Sequence, residues 1–332
     1  MMKILTDADA DISVLKGKKV AVVGYGSQGR AQALMLRDSG VDVVVGAREG
    51  GKSWKKAEED GHKVMPIGGS ARNADIIHIL LPDEIQSSVY GKEIAAHMHA
   101  GKTLSFSHGF NIVYGLIKPP RGVDVIMVAP IGPGSEARRL YLEGGGLPAI
   151  VAVHKNETGG ARETALGMAK AMGFTKTGVL EGSFEQETFT DLFGEQVVLC
   201  GGLTELIKHG YDTLVENGYP QEMAYFEILH QVELVARLLR KGGIGGMWHE
   251  VSNTAEYGGR TTGPKIVPLK VKEDMKEVLQ KIESGKFAKE FLKEFKEGMP
   301  NMKKWREEDK NLSIEKTGKK IRSLFKKPLN KN

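Results

Sequence analysis

Residues 19–40 read KVAVVGYGSQGRAQALMLRDSG, and this stretch decides the fold of the first half of the chain. Its β-branched beginning, Lys19 to Val23, predicts a buried strand. The turn that follows has the spacing GxGxxG, and residues 30–37 continue as a predicted helix that ends at Asp38-Ser39-Gly40. A strand, this turn and a helix in that order are typical of the phosphate-binding turn of dinucleotide-binding domains.

Each glycine of the turn has a physical role in binding a dinucleotide. Gly24 permits the tight turn, Gly26 lets the backbone approach a pyrophosphate, and Gly29 allows close packing of the helix. The helix N-terminus supplies backbone N–H donors to the phosphates. We therefore expect a dinucleotide at the turn, whose residues are Gly24, Tyr25, Gly26, Ser27, Gln28 and Gly29.

The end of the second predicted strand favours NADP over NAD. An acidic residue at that position binds the ribose 2′-hydroxyl of NAD, whereas a cation accommodates the 2′-phosphate of NADP. Arg48 follows the strand here, and Lys52 and Ser53 add a charge and a hydroxyl that suit a phosphate. Glu49 keeps NAD as one alternative, and an ordinary charged surface loop is the other.

Strand and helix signals predict an α/β domain followed by an all-α domain. From Lys18 to about Glu181, β-branched runs alternate with helical stretches, which indicates a doubly wound, mostly parallel sheet of the Rossmann type. After Gly182 only helical periodicity remains. The length of 332 residues allows two cores, and we predict domains at residues 1–182 and 183–332. The predicted strands cover residues 19–23, 41–45, 63–67, 75–81, 103–107, 123–129, 149–154 and 175–180. The predicted helices of the second domain cover residues 184–216, 221–241, 271–297 and 312–326.

Composition narrows the class of protein. The formal net charge is +5 at pH 7, but the C-terminal lysines alternate with glutamates, as on a solvated helix surface rather than a nucleic-acid-binding tail. The single cysteine, Cys200, excludes an internal disulfide and fits a reducing cytoplasm. No apolar run approaches the roughly 18 residues of a membrane span, and residues 1–11 are too polar for a signal peptide. We expect a soluble cytoplasmic protein that binds neither nucleic acid nor membranes.

Three predicted strands end in segments that could face a ligand, because ligands of open α/β sheets bind beyond the carboxyl ends of the strands. The segments are Leu81-Pro82-Asp83-Glu84-Ile85-Gln86, Ser107-His108-Gly109-Phe110-Asn111 and Ala129-Pro130-Ile131-Gly132-Pro133-Gly134. At its strand end, His108 would lie where a substrate meets the nicotinamide. A structural histidine is the alternative.

Two pairs of residues in the second domain suggest a cation site. Asp191 and Glu195 share a predicted helix face in a stretch, residues 182–207, that contains no Lys, Arg or His. Glu227 and Gln231 have the same spacing but one charge fewer. Apolar neighbours surround both pairs, so we expect buried carboxylates around a hard cation, Mg²⁺ before Mn²⁺ or Ca²⁺. A solvated acidic face is the alternative.

Together these segments resemble ketol-acid reductoisomerases, in the short form that has one helical domain. The resemblance covers nearly the whole chain and depends on motifs that are specific when taken jointly. Those motifs are Gly24-Tyr25-Gly26-Ser27-Gln28-Gly29, Arg48 with Ser53, Leu81-Pro82-Asp83-Glu84, His108-Gly109-Phe110-Asn111, Asp191-Leu192-Phe193-Gly194-Glu195-Gln196, Ala224-Tyr225-Phe226-Glu227 and Ser252-Asn253-Thr254-Ala255-Glu256-Tyr257-Gly258.

The resemblance implies an NADPH- and Mg²⁺-dependent enzyme of valine and isoleucine biosynthesis. It would convert 2-acetolactate to 2,3-dihydroxy-3-methylbutanoate by an alkyl shift followed by hydride transfer, in an active site completed across a homodimer whose helical domains are knotted. The implied ligands of two Mg²⁺ ions are Asp191, Glu195, Glu227 and Gln231. The implied catalytic residues are His108, Glu227 and Ser252. The implied cofactor contacts are the glycine-rich turn, Arg48, Ser53, Asp83, Glu84, Ile85, Gln86 and Gly134.

Several positions depart from the family pattern. Ile131 stands where the family has a lysine near the substrate, and Gln231 replaces the fourth metal-binding carboxylate. Ser135-Glu136-Ala137 replaces His-Thr-Val, Arg30 a common histidine and Gly51 a common serine. Three functions are compatible with these changes. They are a working reductoisomerase, an NADPH-dependent 2-keto acid reductase that has lost isomerase activity, and a non-catalytic NADPH-binding paralogue.

Overall fold

The computed structural model describes residues 2–324, and within them nine strands form one sheet. The strands are β1 (Ile4–Leu5), β2 (Lys19–Val23), β3 (Asp42–Gly46), β4 (Lys63–Met65), β5 (Ile76–Ile79), β6 (Thr103–Phe106), β7 (Asp124–Pro130), β8 (Ala149–Lys155) and β9 (Val179–Gly182). Their order is β1-β9-β8-β7-β6-β5-β2-β3-β4. Only the β1–β9 and β7–β8 pairs of this described sheet are antiparallel. The predicted Rossmann-type, mostly parallel sheet is confirmed.

The chain forms two compact units, Met1–Thr190 and Asp191–Asn332. The first unit contains the sheet and helices α1 (Ser27–Asp38), α2 (Lys52–Glu59), α3 (Ile67–Arg72), α4 (Asp83–Val89), α5 (Phe110–Val113), α6 (Gly134–Leu142) and α7 (Ala161–Ala171). Shorter helical turns lie at Asp7–Asp9, Ile12–Leu15, Tyr90–Ile94, Ala95–His97 and Phe174–Lys176. Helix α8 (Phe184–Gly194) contains the division between the units. This division lies eight residues beyond the boundary that we predicted at residue 182.

The sheet has an apolar core on each face, because successive strand residues point to opposite sides. On β7, Ile126 and Val128 belong to one buried cluster, and Val125 and Met127 belong to the other. All four side chains are fully buried. Burial on both faces explains why this strand is an unbroken apolar run rather than an alternating one.

The site-forming loops all leave the sheet at one edge. Strands β2, β3, β5, β6 and β7 run parallel to one another, so the segments that follow them emerge side by side. The chain passes from β2 to β3 on one side, whereas β5 lies on the other side of β2. Such a switch point is where open α/β sheets bind their ligands.

The second unit is helical throughout its described part. After α8 its helices are α9 (Gly201–Glu216), α10 (Gln221–Tyr225), α11 (Gln231–Glu250), α12 (Asn253–Ile266), α13 (Leu269–Glu283), α14 (Lys286–Lys296), α15 (Pro300–Asn311) and α16 (Ser313–Leu324). Two π-helical segments, Glu195–Leu199 and Phe226–His230, interrupt this series. The sequence had not predicted α12 or α15, and residues 325–326 of the last predicted helix lie outside the described residues.

A small core joins the last helix to the first ones of this unit. Tyr211 of α9 is fully buried, and its hydroxyl lies 3.0 Å from Oγ1 of Thr317 on α16. At Gly318, a Cβ would lie 2.6 Å from the ring of Tyr225, so glycine lets α16 approach closely. No helix among residues 2–324 combines the length and apolar character needed to cross a bilayer.

Candidate active site

The glycine-rich turn has the geometry that binding a dinucleotide requires. Gly24 has φ +100°, and a Cβ there would lie 2.8 Å from the carbonyl oxygen of Leu80. A Cβ at Gly29 would lie 2.1 Å from the Gly24 carbonyl oxygen, so packing within the protein requires glycine at both positions. A Cβ at Gly26 would meet no atom of the described chain within 4 Å. Packing does not require that glycine, and the open space suits a phosphate close to the backbone.

Tyr25 is held by an ion pair behind the turn. Its hydroxyl donates to Oδ2 of Asp60 at 3.0 Å, and Arg30 binds both oxygens of the same carboxylate at 2.6 and 2.9 Å. The hydrogen bonds from Arg30, more than any other interaction, lower the pKa of Asp60 to about 2. The departure at Arg30 is therefore explained by an internal partner.

The loop after β3 offers an anion site at a helix N-terminus. Lys52 and Ser53 lie in the first turn of α2, and that turn contains no acidic residue. Arg48 is exposed just before it, and its carbonyl oxygen accepts from the backbone N–H of Gly51 at 3.0 Å. Two cations, a hydroxyl and a helix N-terminus together suit the 2′-phosphate of NADP.

The loop after β5 is fixed from within. The side-chain amide of Gln86 is buried and donates to the Leu81 carbonyl at 2.8 Å and to Oδ1 of Asp83 at 3.1 Å. Buried Asn111 donates to the Asp83 carbonyl at 3.0 Å. Gln86 thus orders the loop, in which Pro82 is exposed and Asp83, Glu84 and Ile85 are partly exposed.

The loop after β7 contacts the glycine-rich turn. A Cβ at Gly134 would lie 2.4 Å from the carbonyl oxygen of Ser27, so glycine is required there by close approach. Nε2 of Gln28 donates to the Gly132 carbonyl at 2.9 Å. Ile131 projects from this loop with 52% of its surface exposed.

His108 forms a dyad with Glu187, a residue that the sequence analysis missed. Nδ1 of His108 lies 2.9 Å from Oε1 of Glu187, and Oε2 accepts from the backbone N–H of Gly109 at 3.0 Å. Glu187 is buried, whereas the imidazole is 18% exposed. Because an ionised carboxylate only accepts, His108 donates through Nδ1 in this contact.

The sequence contains a signal for Glu187. Glu187, Asp191 and Glu195 follow one another at intervals of four residues, which is one acidic stripe at helical spacing. Only the last two of these three residues were predicted to bind a cation. Nothing in the sequence marks the first acidic residue as the partner of a histidine 79 positions earlier.

The predicted metal ligands are exposed, and the expectation that they are buried is wrong. Asp191, Glu195, Glu227 and Gln231 all lie on the surface of the chain, because nearby apolar residues such as Leu199 are exposed as well. Nε2 of Gln231 donates to Oε2 of Glu227. In the part of the chain that the structure describes, Asp191, Glu195 and Glu227 do not bring their ligand atoms within 4.8 Å of one another.

Both pairs of predicted metal ligands adjoin π-helical segments. Glu195 begins the segment Glu195–Leu199, and Glu227 lies in the segment Phe226–His230, which ends just before Gln231. Such segments occur frequently at functional sites. Oxygen ligands of this kind suit Mg²⁺, and the amide oxygen of Gln231 can serve as a neutral ligand.

Ser252 has a structural partner in this chain. It caps α12, and its Oγ accepts from the backbone N–H of Ala255 at 3.2 Å. This cap accounts for the residue locally, and its predicted contact with the substrate stays a prediction.

Comparisons with known proteins cover nearly the whole chain. Residues 14–178 match the family model for the NADPH-binding domain of acetohydroxy acid isomeroreductase. Residues 184–327 match the model for the C-terminal domain of ketol-acid reductoisomerase.

Individual relatives give the same picture. The ketol-acid reductoisomerase (NADP(+)) of Akkermansia muciniphila is 56% identical, over 98% of this chain and 100% of its own length. That of Methanocaldococcus jannaschii is 53% identical, over 98% of each chain. Among solved structures, an NADH-preferring ketol-acid reductoisomerase from an uncultured archean matches with a TM-score of 0.96 at 52% identity, over 98% of this chain and 100% of that one.

Proposed function

This chain belongs to the ketol-acid reductoisomerase family and is an NADP-dependent oxidoreductase, and we propose that it converts 2-acetolactate to 2,3-dihydroxy-3-methylbutanoate. One observation carries the assignment of the site. The glycine-rich turn follows β2 and His108 follows β6, and these parallel strands end at the same sheet edge. A cofactor bound at the turn and a substrate bound at His108 would therefore be neighbours.

The proposed reaction has two balanced steps. In the first, the methyl group on C2 of 2-acetolactate moves to C3, C2 becomes the ketone, and the proton of the C2 hydroxyl is transferred to the oxygen on C3. In the second, NADPH delivers a hydride to C2, and a proton adds to the oxygen on C2. Mg²⁺, when bound, would polarise the substrate oxygens that gain negative charge.

We assign to His108 a hydrogen-bonding role rather than a nucleophilic one. His108, whose Nδ1 donates to Glu187, would form a hydrogen bond to a substrate hydroxyl. Glu187 holds the ring in one tautomer and one orientation. Asp191, Glu195, Glu227 and Gln231 would hold Mg²⁺, and Ser252 would contact the substrate.

A specific observation favours a second candidate function, reduction of the already rearranged keto acid without isomerisation. Gln231 contributes no charge and directs its amide N–H to Glu227, and Ile131 offers no charge to the substrate. Losing one electrostatic stabiliser of a developing charge typically costs about 2.7–4 kcal/mol, or roughly 10²- to 10³-fold in rate. The alkyl shift is the step that depends on such stabilisation.

One assay separates these possibilities. NADPH oxidation is measured over a Mg²⁺ titration with 2-acetolactate and, separately, with 3-hydroxy-3-methyl-2-oxobutanoate, for the wild type and for Ile131→Lys/Gln231→Glu. Turnover of both substrates by the wild type supports the isomeroreductase. Turnover of only the rearranged substrate, with 2-acetolactate turnover restored by the double variant, supports the reductase. If NADPH binds but neither substrate reacts, both functions are contradicted.

The preference for NADPH has its own test. We assign the 2′-phosphate to Arg48, Lys52 and Ser53, and we expect Arg48→Gln to lower kcat/KM for NADPH by about tenfold or more while leaving that for NADH nearly unchanged. Lys55→Gln, which changes an exposed residue of α2, is the matched control. Equal losses with both cofactors would contradict the assignment.

We also propose that the chain acts as a homodimer or larger homo-oligomer in the cytoplasm. Its helical unit exposes large apolar side chains, among them Leu199, Leu234, Ile244 and Leu269. A second copy that covers them would also reduce the exposure of the acidic pairs close by in sequence. Sedimentation equilibrium tests the oligomer, and a monomer at assay concentration would contradict it.

A further inference from the structure

We propose that His78 is a positioning residue that, through Gln32, fixes the orientation of the Gln28 amide in the dinucleotide turn. His78 belongs neither to the turn nor to the loops at the sheet edge. The inference rests on the proposed function only in taking the turn as the cofactor site.

His78 occupies a place where an apolar residue would be expected. It lies within β5, in the middle of the sheet, and it is fully buried. Its neighbours Ile77 and Ile79 pack into the core on one face, and Ile76 packs into the core on the other. A polar ring buried there is unfavourable unless both nitrogens have partners.

Both nitrogens do have partners. Nδ1 lies 2.9 Å from Oγ of Ser105 on the adjacent strand, and Nε2 lies 2.7 Å from Oε1 of Gln32 on α1. Gln32 is itself fully buried. Its amide nitrogen donates to Oε1 of Gln28 at 3.0 Å and to Oγ of Ser107 at 2.9 Å.

Oγ of Ser107 also lies 3.2 Å from Oε1 of Gln32, but its one proton goes to the Val128 carbonyl at 2.8 Å, so the hydrogen bonds of this network have a single direction. An amide oxygen only accepts, so Nε2 of His78 carries the proton and Ser105 donates to Nδ1. Burial lowers the pKa of His78 to about 4, which keeps the ring neutral near pH 7 with one N–H to donate. The oxygen of Gln32 is thereby held towards His78, and both of its N–H groups are directed to Gln28 and Ser107.

The same order of donors and acceptors continues into three segments at the sheet edge. Because the oxygen of Gln28 accepts from Gln32, its amide N–H is left to donate to the Gly132 carbonyl. Ser107, one residue before His108, accepts from Gln32 and donates to the Val128 carbonyl at 2.8 Å. The turn, the histidine loop and the loop that carries Ile131 are therefore tied to one buried imidazole.

A leucine at position 78 would remove the N–H group that holds the side-chain oxygen of Gln32 in place. The Gln32 amide could then rotate, so that its oxygen faced the oxygen of Gln28. Gln28 would rotate in turn and place its own oxygen against the Gly132 carbonyl, where two acceptors repel. We expect the turn and the loop after β7 to separate, with weaker cofactor binding as the consequence.

The test compares three variants of the full-length protein. His78→Leu removes the donor, His78→Gln keeps an N–H able to reach Gln32, and Ile76→Ala is a destabilising control in the same strand and outside the network. Kd for NADPH is measured by cofactor fluorescence and unfolding by urea titration. We expect His78→Leu to raise Kd about tenfold, the order expected for one or two lost hydrogen bonds. His78→Gln should stay near the wild type, and Ile76→Ala should lose stability without a change in Kd.

Other outcomes overturn the proposal. An unchanged Kd in His78→Leu, or an equal rise in Ile76→Ala, would assign His78 a purely structural role. If His78→Leu does not fold, Gln32→Met interrupts the network from the other side and should raise Kd similarly. In addition, ¹⁵N-histidine spectra, with His78→Gln used for assignment, should show the Nε2–H tautomer at position 78, and an Nδ1–H tautomer contradicts the network. These readouts do not require turnover, so failure of the proposed function is seen separately.

Discussion

The two units of the chain differ in where their polar groups find partners. In the first unit, buried groups bind one another. Asp124, for example, accepts from the backbone N–H groups of Glu157 and Thr158 at 2.7 and 2.9 Å. In the second unit, apolar side chains such as Tyr257 and Leu269 are 75% and 86% exposed, and all four predicted metal ligands lie on the surface. The sheet unit thus pairs its buried polar groups internally, whereas the helical unit exposes apolar side chains together with its predicted metal ligands.

The His108–Glu187 dyad is the strongest test of organisation within the sheet unit. Glu187→Gln would place an amide N–H against either Nδ1 of His108 or the N–H of Gly109. We expect kcat to fall by roughly 10²- to 10³-fold, the usual effect of losing one preorganised electrostatic contact. Steady-state kinetics with both keto acids measures it. Glu185→Gln, an exposed residue of the same helix, should keep wild-type kcat, and a wild-type kcat in Glu187→Gln would remove the dyad from the mechanism.

Two glycines of the turn separate packing from binding. Gly29→Ala forces a Cβ against the Gly24 carbonyl and should destabilise the fold by about 1–3 kcal/mol. Gly26→Ala meets open space, so we expect normal stability but a Kd for NADPH raised by about tenfold. Urea unfolding and fluorescence titration measure the two effects. Tight NADPH binding by Gly26→Ala would place the cofactor elsewhere.

The sheet unit should also lose stability in mild acid. Burial lowers the pKa of both His62 and His78 to about 4, from an ordinary value of 6.5. Between these values the unfolded chain binds more protons, so stability falls as pH drops from about 6.5 towards 4. Each histidine contributes up to about 1.4 kcal/mol per pH unit.

Tryptophan fluorescence can assign this effect to one unit. Trp54 lies in the sheet unit, and Trp248 and Trp305 lie in the helical one. In a Trp248→Phe/Trp305→Phe background, urea unfolding between pH 7 and pH 5 should show the loss, and His62→Phe should remove one of the two contributions. His209→Asn changes an exposed side chain and should leave the pH dependence as it is. The idea fails if His62→Phe has no effect on the slope.

The smallest effect on stability is expected at the exposed surface of the helical unit. Leu234 is 50% exposed, so Leu234→Ser should change the free energy of unfolding of an isolated chain by less than about 0.5 kcal/mol. The same change should shift sedimentation towards smaller species, because it places a polar side chain in the apolar surface that a second copy would cover. Lys289→Ser is the control, and an unaltered oligomer in Leu234→Ser would exclude this surface from the interface.

The sheet unit was predictable because its signals are local. The strands from Lys19–Val23 to Val179–Gly182 are marked by β-branched runs, and the glycines of the turn have fixed spacing. The missed contacts are distant in sequence. Glu187 meets His108, and Gln32 meets His78, only once the sheet has formed, and no periodicity encodes such pairs.

The helical unit was harder to predict in detail. Helix α12 contains four glycines or prolines by its sequence, Gly258, Gly259, Gly263 and Pro264, which lower its intrinsic helix propensity. The π-helical segments have no sequence signal that we used. Several apolar residues that we expected to enclose the carboxylates, among them Val198, Leu199 and Leu234, are exposed, because helical periodicity alone does not distinguish a core from an interface.

The two π-helical segments described above have a consequence for how insertions and deletions act on this chain. A π turn holds one residue more than the α turn that it replaces, so Glu195–Leu199 and Phe226–His230 each resemble a single-residue insertion in a helix. Each extra residue rotates everything beyond it by about 100° around the helix axis. Deleting one residue other than Glu195 or Glu227 from either segment would therefore remove no predicted ligand, yet it would alter the angular phase between the acidic side chains and the rest of their helix.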